Sequence, residues 1–375
     1  MKRSQLVRGE PRPYEPVIAT EGFGAGEPPA GRLAGLWRRW VRFWFTADDP
    51  VRLHVLRVMA GLLFLAWLLP IAGSLDSLYS LDGWFDLQAY RESARLPEGA
   101  PKPMTWSVLY LAGSGWKLHV FYWASIATLL AFTLGLATRV TAVLTWIIVG
   151  SFTASPLLDA DVDPLLVLLA FYLMVGYLLI GQINGDLNGR ERLLGAAPRW
   201  WQRWLGRGDY APASVAVNLT VRLLQIHMAL VIVSNGFHKL QFGDWWGGIA
   251  FWFPLYSSPD VTLADVRRHA AYADAYVVFL NVLTYGAVLW QIGFPLFAWK
   301  PAWRPLLVGG AAIGWLVNTW VYQMPLFGGA IFIGCMSFVS DWRVVGAWVA
   351  AVARRLRAAW KPKVADSIPV ASGQN

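Results

Sequence analysis

The sequence predicts an all-α fold: a polytopic bundle of about eight transmembrane helices with both termini in the cytoplasm. Three observations predict it. Hydrophobic residues make up 56% of the 375-residue chain and charged residues only 15%, where a soluble domain carries roughly a quarter. The shortfall is gathered into eight apolar runs, most of them near the ~20 residues that cross a hydrocarbon core. Basic residues concentrate in alternate connections between those runs. A β-barrel does not fit, because its strands alternate apolar and polar residues rather than running continuously apolar.

Taken in order, residues 1–31 hold Pro, Gly and charge without an apolar run, the composition of a disordered arm. Gly22-Phe23-Gly24-Ala25-Gly26 superficially suggests a phosphate loop but lacks the flanking strand and helix such a loop requires. Within residues 32–52, the run from Leu33 to Phe45 alternates Trp and Phe with Arg, which predicts a basic amphipathic helix lying on an anionic inner leaflet. Residues 53–343 form the transmembrane domain, with spans at 56–72, 119–136, 140–157, 165–181, 217–236, 276–299, 306–321 and 326–339. The eighth is the shortest and closes on Ser340-Asp341-Trp342-Arg343; residues 344–375 form a basic cytoplasmic tail. No signal-peptide core precedes the first span, so that span is expected to serve as an uncleaved anchor.

Charge orients the bundle, since cytoplasmic connections are enriched in Lys and Arg. With the N-terminus inside, the inner segments hold Arg38, Arg39 and Arg42, the Arg139 turn, the 190–207 loop, the Lys300/Arg304 turn and the tail. The outer segments hold Asp76, Asp82, Asp86, the Asp159/Asp161/Asp163 turn and the 251–275 loop. The net charge of +9 follows from this distribution. No nucleic-acid module accompanies it, and the partner expected is membrane lipid. A single cysteine, Cys335, sits in an apolar run and reads as a small hydrophobe. The acidic outer turn lacks the glycine and distant glutamate of an EF-hand loop, so no metal is expected there. The connection from Leu75 to Trp116 is long and aromatic, which suits either a lid or an interfacial belt.

Chemistry concentrates in the fifth span. It closes on Ser234-Asn235-Gly236-Phe237-His238-Lys239-Leu240, followed by Asp244-Trp245-Trp246-Gly247-Gly248. A lysine, a histidine and an asparagine at membrane depth are costly and mark pathways or sites. Helical spacing stacks His227, Ser234 and His238 on one face, and Asn235 and Lys239 form an adjacent i,i+4 pair. Snorkelling and helix-to-helix hydrogen bonds would account for polar residues met singly, such as Arg57 and Arg222. The crowding of several at one place favours a site. A lysine stripped of water yields its proton more readily, and a neutral amine facing an outward cavity can act as a base toward a phenol or quinol. His238 either relays a proton or donates a hydrogen bond. No G-x-S-x-G, H-E-x-x-H or Walker motif is present, and no convincing repeat relates the two halves as transporters of inverted topology require.

The run from Arg222-Leu-Leu-Gln225-Ile-His227 through Ser234-Asn-Gly-Phe-His-Lys239-Leu240 to Asp244-Trp245-Trp-Gly-Gly248 resembles the fifth-span signature of horizontally transferred transmembrane (HTTM) domain proteins. Those are bacterial relatives of vitamin K-dependent γ-glutamyl carboxylase. Leu56-Arg57-Val58-Met-Ala-Gly61, Gly135-Leu-Ala-Thr-Arg139 and Trp299-Lys-Pro301-Ala-Trp-Arg304-Pro305 extend the resemblance over nearly all of the membrane region. The resemblance implies a multi-pass protein of the bacterial inner membrane with an outward-facing pocket lined by the fifth and seventh spans and the outer aromatic loops. It implies Lys239 as the catalytic base, and the crowding around that lysine adds His238 as the second catalytic candidate. Asn235, His227, Trp245 and Asn318 would bind the cofactor, a menaquinol- or vitamin K hydroquinone-like quinol. Asn318 stands where many members carry a histidine; it hydrogen-bonds but cannot transfer a proton near neutral pH. The function expected is lipid-quinol-dependent, carboxylase- or epoxidase-like chemistry. The alternative is a non-catalytic accessory or maturation protein for an exported peptide.

Overall fold

The structure, a computed structural model, describes residues 32–84, 107–154, 160–180, 213–256 and 262–339. All of these but Val339 lie in the compact unit Met1–Phe338. The expected arm at 1–31, the 190–207 loop, Asp159, the end of the eighth span past 339 and the tail at 344–375 fall outside the described residues.

Among the described residues the chain is helical and has no strand. A first helix, α1 (Arg32–Phe45), precedes α2 (Val51–Leu68). Then follow α3 (Trp116–Leu134), α4 (Thr138–Phe152), α5 (Asp163–Leu179) and α6 (Val215–Lys239). The last three are α7 (Ala273–Phe297), α8 (Arg304–Trp320) and α9 (Pro325–Met336). Helices α2 to α9 stand at the eight expected positions. Four are long and apolar enough to cross a membrane: the Val51–Tyr79 run that α2 begins, α3, α6 and the Asp274–Phe297 part of α7. Helices α4, α5 and α9 are apolar but shorter. Helices of this length and composition make the chain a membrane protein.

The boundaries follow from local chemistry. The Ser214 hydroxyl accepts the Ala216 N–H and caps α6. Proline sits in the first turn of α5, α8 and α9, where its missing N–H has no helical partner to lose. Pro70 falls where α2 tightens into a 3-10 segment, Leu69–Ser74, before the short helix Leu75–Tyr79. The connection between α3 and α4 is as short as expected, with Gly135 at φ 82° and Ala137 at φ 45° reversing the chain. Helix α1 ends at Phe45 rather than near residue 52, because Asp48 pairs through its backbone with Ser214. Leu33, Leu36, Trp37 and Trp40 share one exposed face of α1 at i, i+3, i+4, i+7 spacing.

Between membrane helices the hydrophobic effect is weak, so close packing and hydrogen bonds carry association. Gly61 of α2 lies directly against Thr133 of α3, and Gly334 of α9 against Met228 of α6. The larger apolar core joins α2 to α6 and α9 around Phe64, Leu129, Phe132, Leu169 and Met228. A smaller one, with Ile232, Phe294, Leu307, Ala311 and Phe338, ties α7 and α8 to α6 and α9.

Among the described residues, Arg139, Arg304 and Arg52 cap helix carboxyl termini. Arg139 donates to Ile180 O at the end of α5. Arg304 donates to Ala298 O and Trp299 O after α7. Arg52, paired with Asp48, donates to Ser337 O after α9 at 2.8 Å, and Gln225 donates to the same carbonyl at 2.7 Å. Cations there also suit the negative ends of the helix dipoles. Arg222 lies over the Phe43 ring of α1 at 4.5 Å and donates to Gln225 Oε1 within its own helix at 3.1 Å. A Gln225→Leu variant is expected to lose about 1 kcal/mol of stability, read as a lower thermal midpoint in detergent. An unchanged midpoint would mean that Arg52 alone satisfies the carbonyl. Cys335 is buried, and Asp163 is buried with its carboxylate accepting the Ala160 N–H.

Candidate functional site

The small core holds α6, α7, α8 and α9 apart enough to leave a cavity of about 450 Å³. That volume falls within the range of small-molecule sites, roughly 300–1,000 Å³. Its walls are apolar and aromatic: Ile232, Trp290, Trp315, Phe327 and Ile331 from the helices, Trp245 and Phe251 from the segment after α6. Its polar lining is Asn235 and Lys239 of α6, Gln291 of α7, Asn318 of α8 and Tyr322 just beyond it.

Lys239 reaches this place through the register of α6 against α7. Gly236 packs so closely that an added Cβ would lie 3.0 Å from Gln291 Cβ and 3.1 Å from Ile292. Three residues on, Lys239 Nζ donates to Gln291 Oε1 at 2.9 Å. The ammonium also sits 5.1 Å from the centre of the Trp245 ring, within cation–π range and worth about 0.5–2 kcal/mol according to desolvation. No carboxylate lines the cavity among the described residues. An amine with one amide acceptor, one ring face and no counter-ion is open to an acidic or anionic ligand group.

After Lys239 the chain turns sharply. Leu240, Gln241 and Phe242 each donate their N–H three residues back, and a short helix, Gly243–Trp246, follows. This segment then packs along the amino-terminal half of α7: Tyr285 donates to Trp246 O at 2.7 Å, and Gly248, at φ 73°, lies against the Asn281 amide. Trp245 is thereby turned toward Lys239, and the Trp245, Phe251 and Tyr322 rings follow edge-on at 5.9 and 6.0 Å. Burial raises the Tyr322 phenol above its ordinary range, so it remains a proton donor at neutral pH.

Four of the six expected site residues come together here: Lys239, Asn235, Trp245 and Asn318. The other two do not. His238 is exposed and edge-on to Phe242 at 5.2 Å; one helical step from Lys239, it is turned by about 100° and does not line the cavity. His227 is exposed on the same face as His238, away from the cavity, and shares a 3.0 Å hydrogen bond with Tyr172 of α5. Asn318 donates its Nδ2 to Gly314 O, and its backbone carbonyl accepts Met324 N–H, so its place on the wall is fixed. Lys239 stands beside the carboxyl-terminal half of α7, where Gln291 lies. The described part of the 75–116 connection does not reach the cavity; its Tyr79 packs in the core, 5.0 Å from Phe152. Gln291 was not singled out from sequence; it is one of two amides, with Asn281, in the apolar 276–299 run.

No family model matches the chain, and no curated protein and no solved structure matches it either.

Proposed function

We propose that the chain is an eight-span inner-membrane protein of the HTTM type, with both termini cytoplasmic, whose cavity takes a lipid quinol. Lys239 is the base toward a quinol hydroxyl, Gln291 positions its amine, and Asn235 and Asn318 orient the ring oxygens. His238 and His227, away from the cavity, have no part in this reading. The observation that carries it is the convergence of Lys239 Nζ, Gln291 and the Trp245 face in an aromatic cavity that no carboxylate lines among the described residues. A flat aromatic diol with an apolar tail fits both parts of such a lining. The orientation is supported by the places of Arg52, Arg139 and Arg304 at helix carboxyl termini.

The test is a mass-spectrometric assay of the purified protein with reduced menaquinone, oxygen and labelled bicarbonate, beside a Lys239→Ala variant. Epoxide or oxidised quinone that depends on Lys239 supports base chemistry. Turnover equal to a protein-free control in both, with folded protein, removes it and leaves a non-catalytic maturation role for an exported peptide.

A further inference from the structure

The seams around the cavity differ. The α6–α7 seam is closed at Gly236 by Gln291 and Ile292, and the α8–α9 seam at Gly328 by Asn318 and Trp315. The α7–α8 seam is closed only toward its basic end. There Trp290 donates to Leu307 O at 3.2 Å and fills the space at Gly310, and Phe297 meets Trp303 at 4.7 Å. Above Trp290 the same seam presents Gly286 from α7 and Gly314 from α8, both on the cavity wall. A Cβ added at either would meet nothing within 4 Å. The residues flanking this gap, Val282 and Ile313, are 66% and 62% exposed while also lining the cavity. The cavity therefore continues sideways onto a face made of apolar side chains, which in a bilayer is lipid.

We infer that the α7–α8 seam at Gly286 and Gly314 is a lateral opening by which a single-tailed, bilayer-dissolved amphiphile reaches the cavity, its head against Lys239 and its tail leaving between the two glycines. This rests on the proposed reading of the cavity as a lipid-quinol site and adds the route and the tail requirement. A water-soluble ligand would need no apolar gap in the membrane-facing wall. A lipid-borne one needs it twice, for access and because the tail has no room beside the head in a cavity of about 450 Å³.

The test uses two naphthoquinones that share a head: menaquinone-4, with its isoprenoid tail, and menadione, without one. Binding is read in lipid nanodiscs by quenching of tryptophan fluorescence, since Trp245, Trp290 and Trp315 line the cavity. The variant is Gly286→Leu with Gly314→Leu, which fills open space and suits a helix better than glycine does. Gly309→Leu, also in open space but off the cavity wall, is the control. Menaquinone-4 binding should weaken at least about tenfold in the double variant, because displaced tail methylenes each count for most of a kcal/mol. Menadione should bind the double variant as it binds the wild type, and the control should bind both. Undiminished menaquinone-4 binding in the double variant would overturn the opening while leaving the quinol reading intact, and equal loss of both ligands would overturn it as well. Failure of the wild type to bind either ligand would overturn the quinol reading and the opening with it.

Discussion

Replacing Lys239 with alanine is expected to lower quinol turnover by at least about a hundredfold, the usual span of a lost general base, with the folded state kept. The fold should survive because Nζ makes one hydrogen bond, to Gln291, and one ring contact, to Trp245, and neither belongs to the two apolar cores. Lys239→Arg is the more informative companion. Arginine keeps the charge and the ring contact, but its guanidinium does not deprotonate in proteins. If Lys239 works as a base, the arginine variant should bind a quinone and fail to turn over the quinol. If the residue serves only as a cation, arginine should restore function and glutamine should not. Initial rates and quinone binding on the same preparations separate these patterns.

Gly135→Ala is expected to destabilise the protein by about 3 kcal/mol, and more if the neighbours cannot yield. Two effects add. The residue sits at φ 82°, a conformation that costs an L-residue about 1–2 kcal/mol. Its new methyl would also lie 2.6 Å from Nη2 of Arg57. Arg57 is fully buried, with Nη1 donating to Tyr177 Oη at 3.2 Å and no hydrogen-bond partner for Nε or Nη2 among the described residues. A buried guanidinium displaced from its single phenol is costly, since desolvated cations depend on the contacts they keep. Gly150→Ala, in α4 with nothing within 4 Å of the new methyl, is the control and should be neutral or slightly stabilising. Thermal midpoints in detergent measure both. Equal midpoints for the two variants would show that Arg57 and the turn adapt freely.

How far the sequence could be read depended on what each feature rests on. The eight helices were legible because apolar runs and proline or glycine boundaries are local: Pro164, Pro305 and Pro325 open helices, and Gly135 closes one. The pairing of Lys239 with Gln291 was not legible, because it depends on the register of α6 against α7, which the close contact of Gly236 sets. His238 was placed in the site because it adjoins Lys239 in sequence, yet neighbours on a helix point about 100° apart. Helical spacing did align His227 with Ser234 and His238, but the face they share is not the one that meets the cavity; Asn235 and Lys239 are on that one. Trp245 was legible as part of a motif, while the reason it matters, the turn that swings its ring over Nζ, came only with the fold.

Whether a quinol-type ring lies against Lys239 is tested most directly by photolabelling. A menaquinone analogue with a photoreactive group on its ring would be bound to the protein in nanodiscs, irradiated, and mapped by peptide mass spectrometry. Adducts are expected on peptides carrying Lys239, Trp245 and Gln291, and they should vanish when unmodified menaquinone competes. Labelling spread over the lipid-facing residues of the helices, such as Leu230, Leu289 and Leu316, and indifferent to competitor, would show that the cavity does not hold the ring.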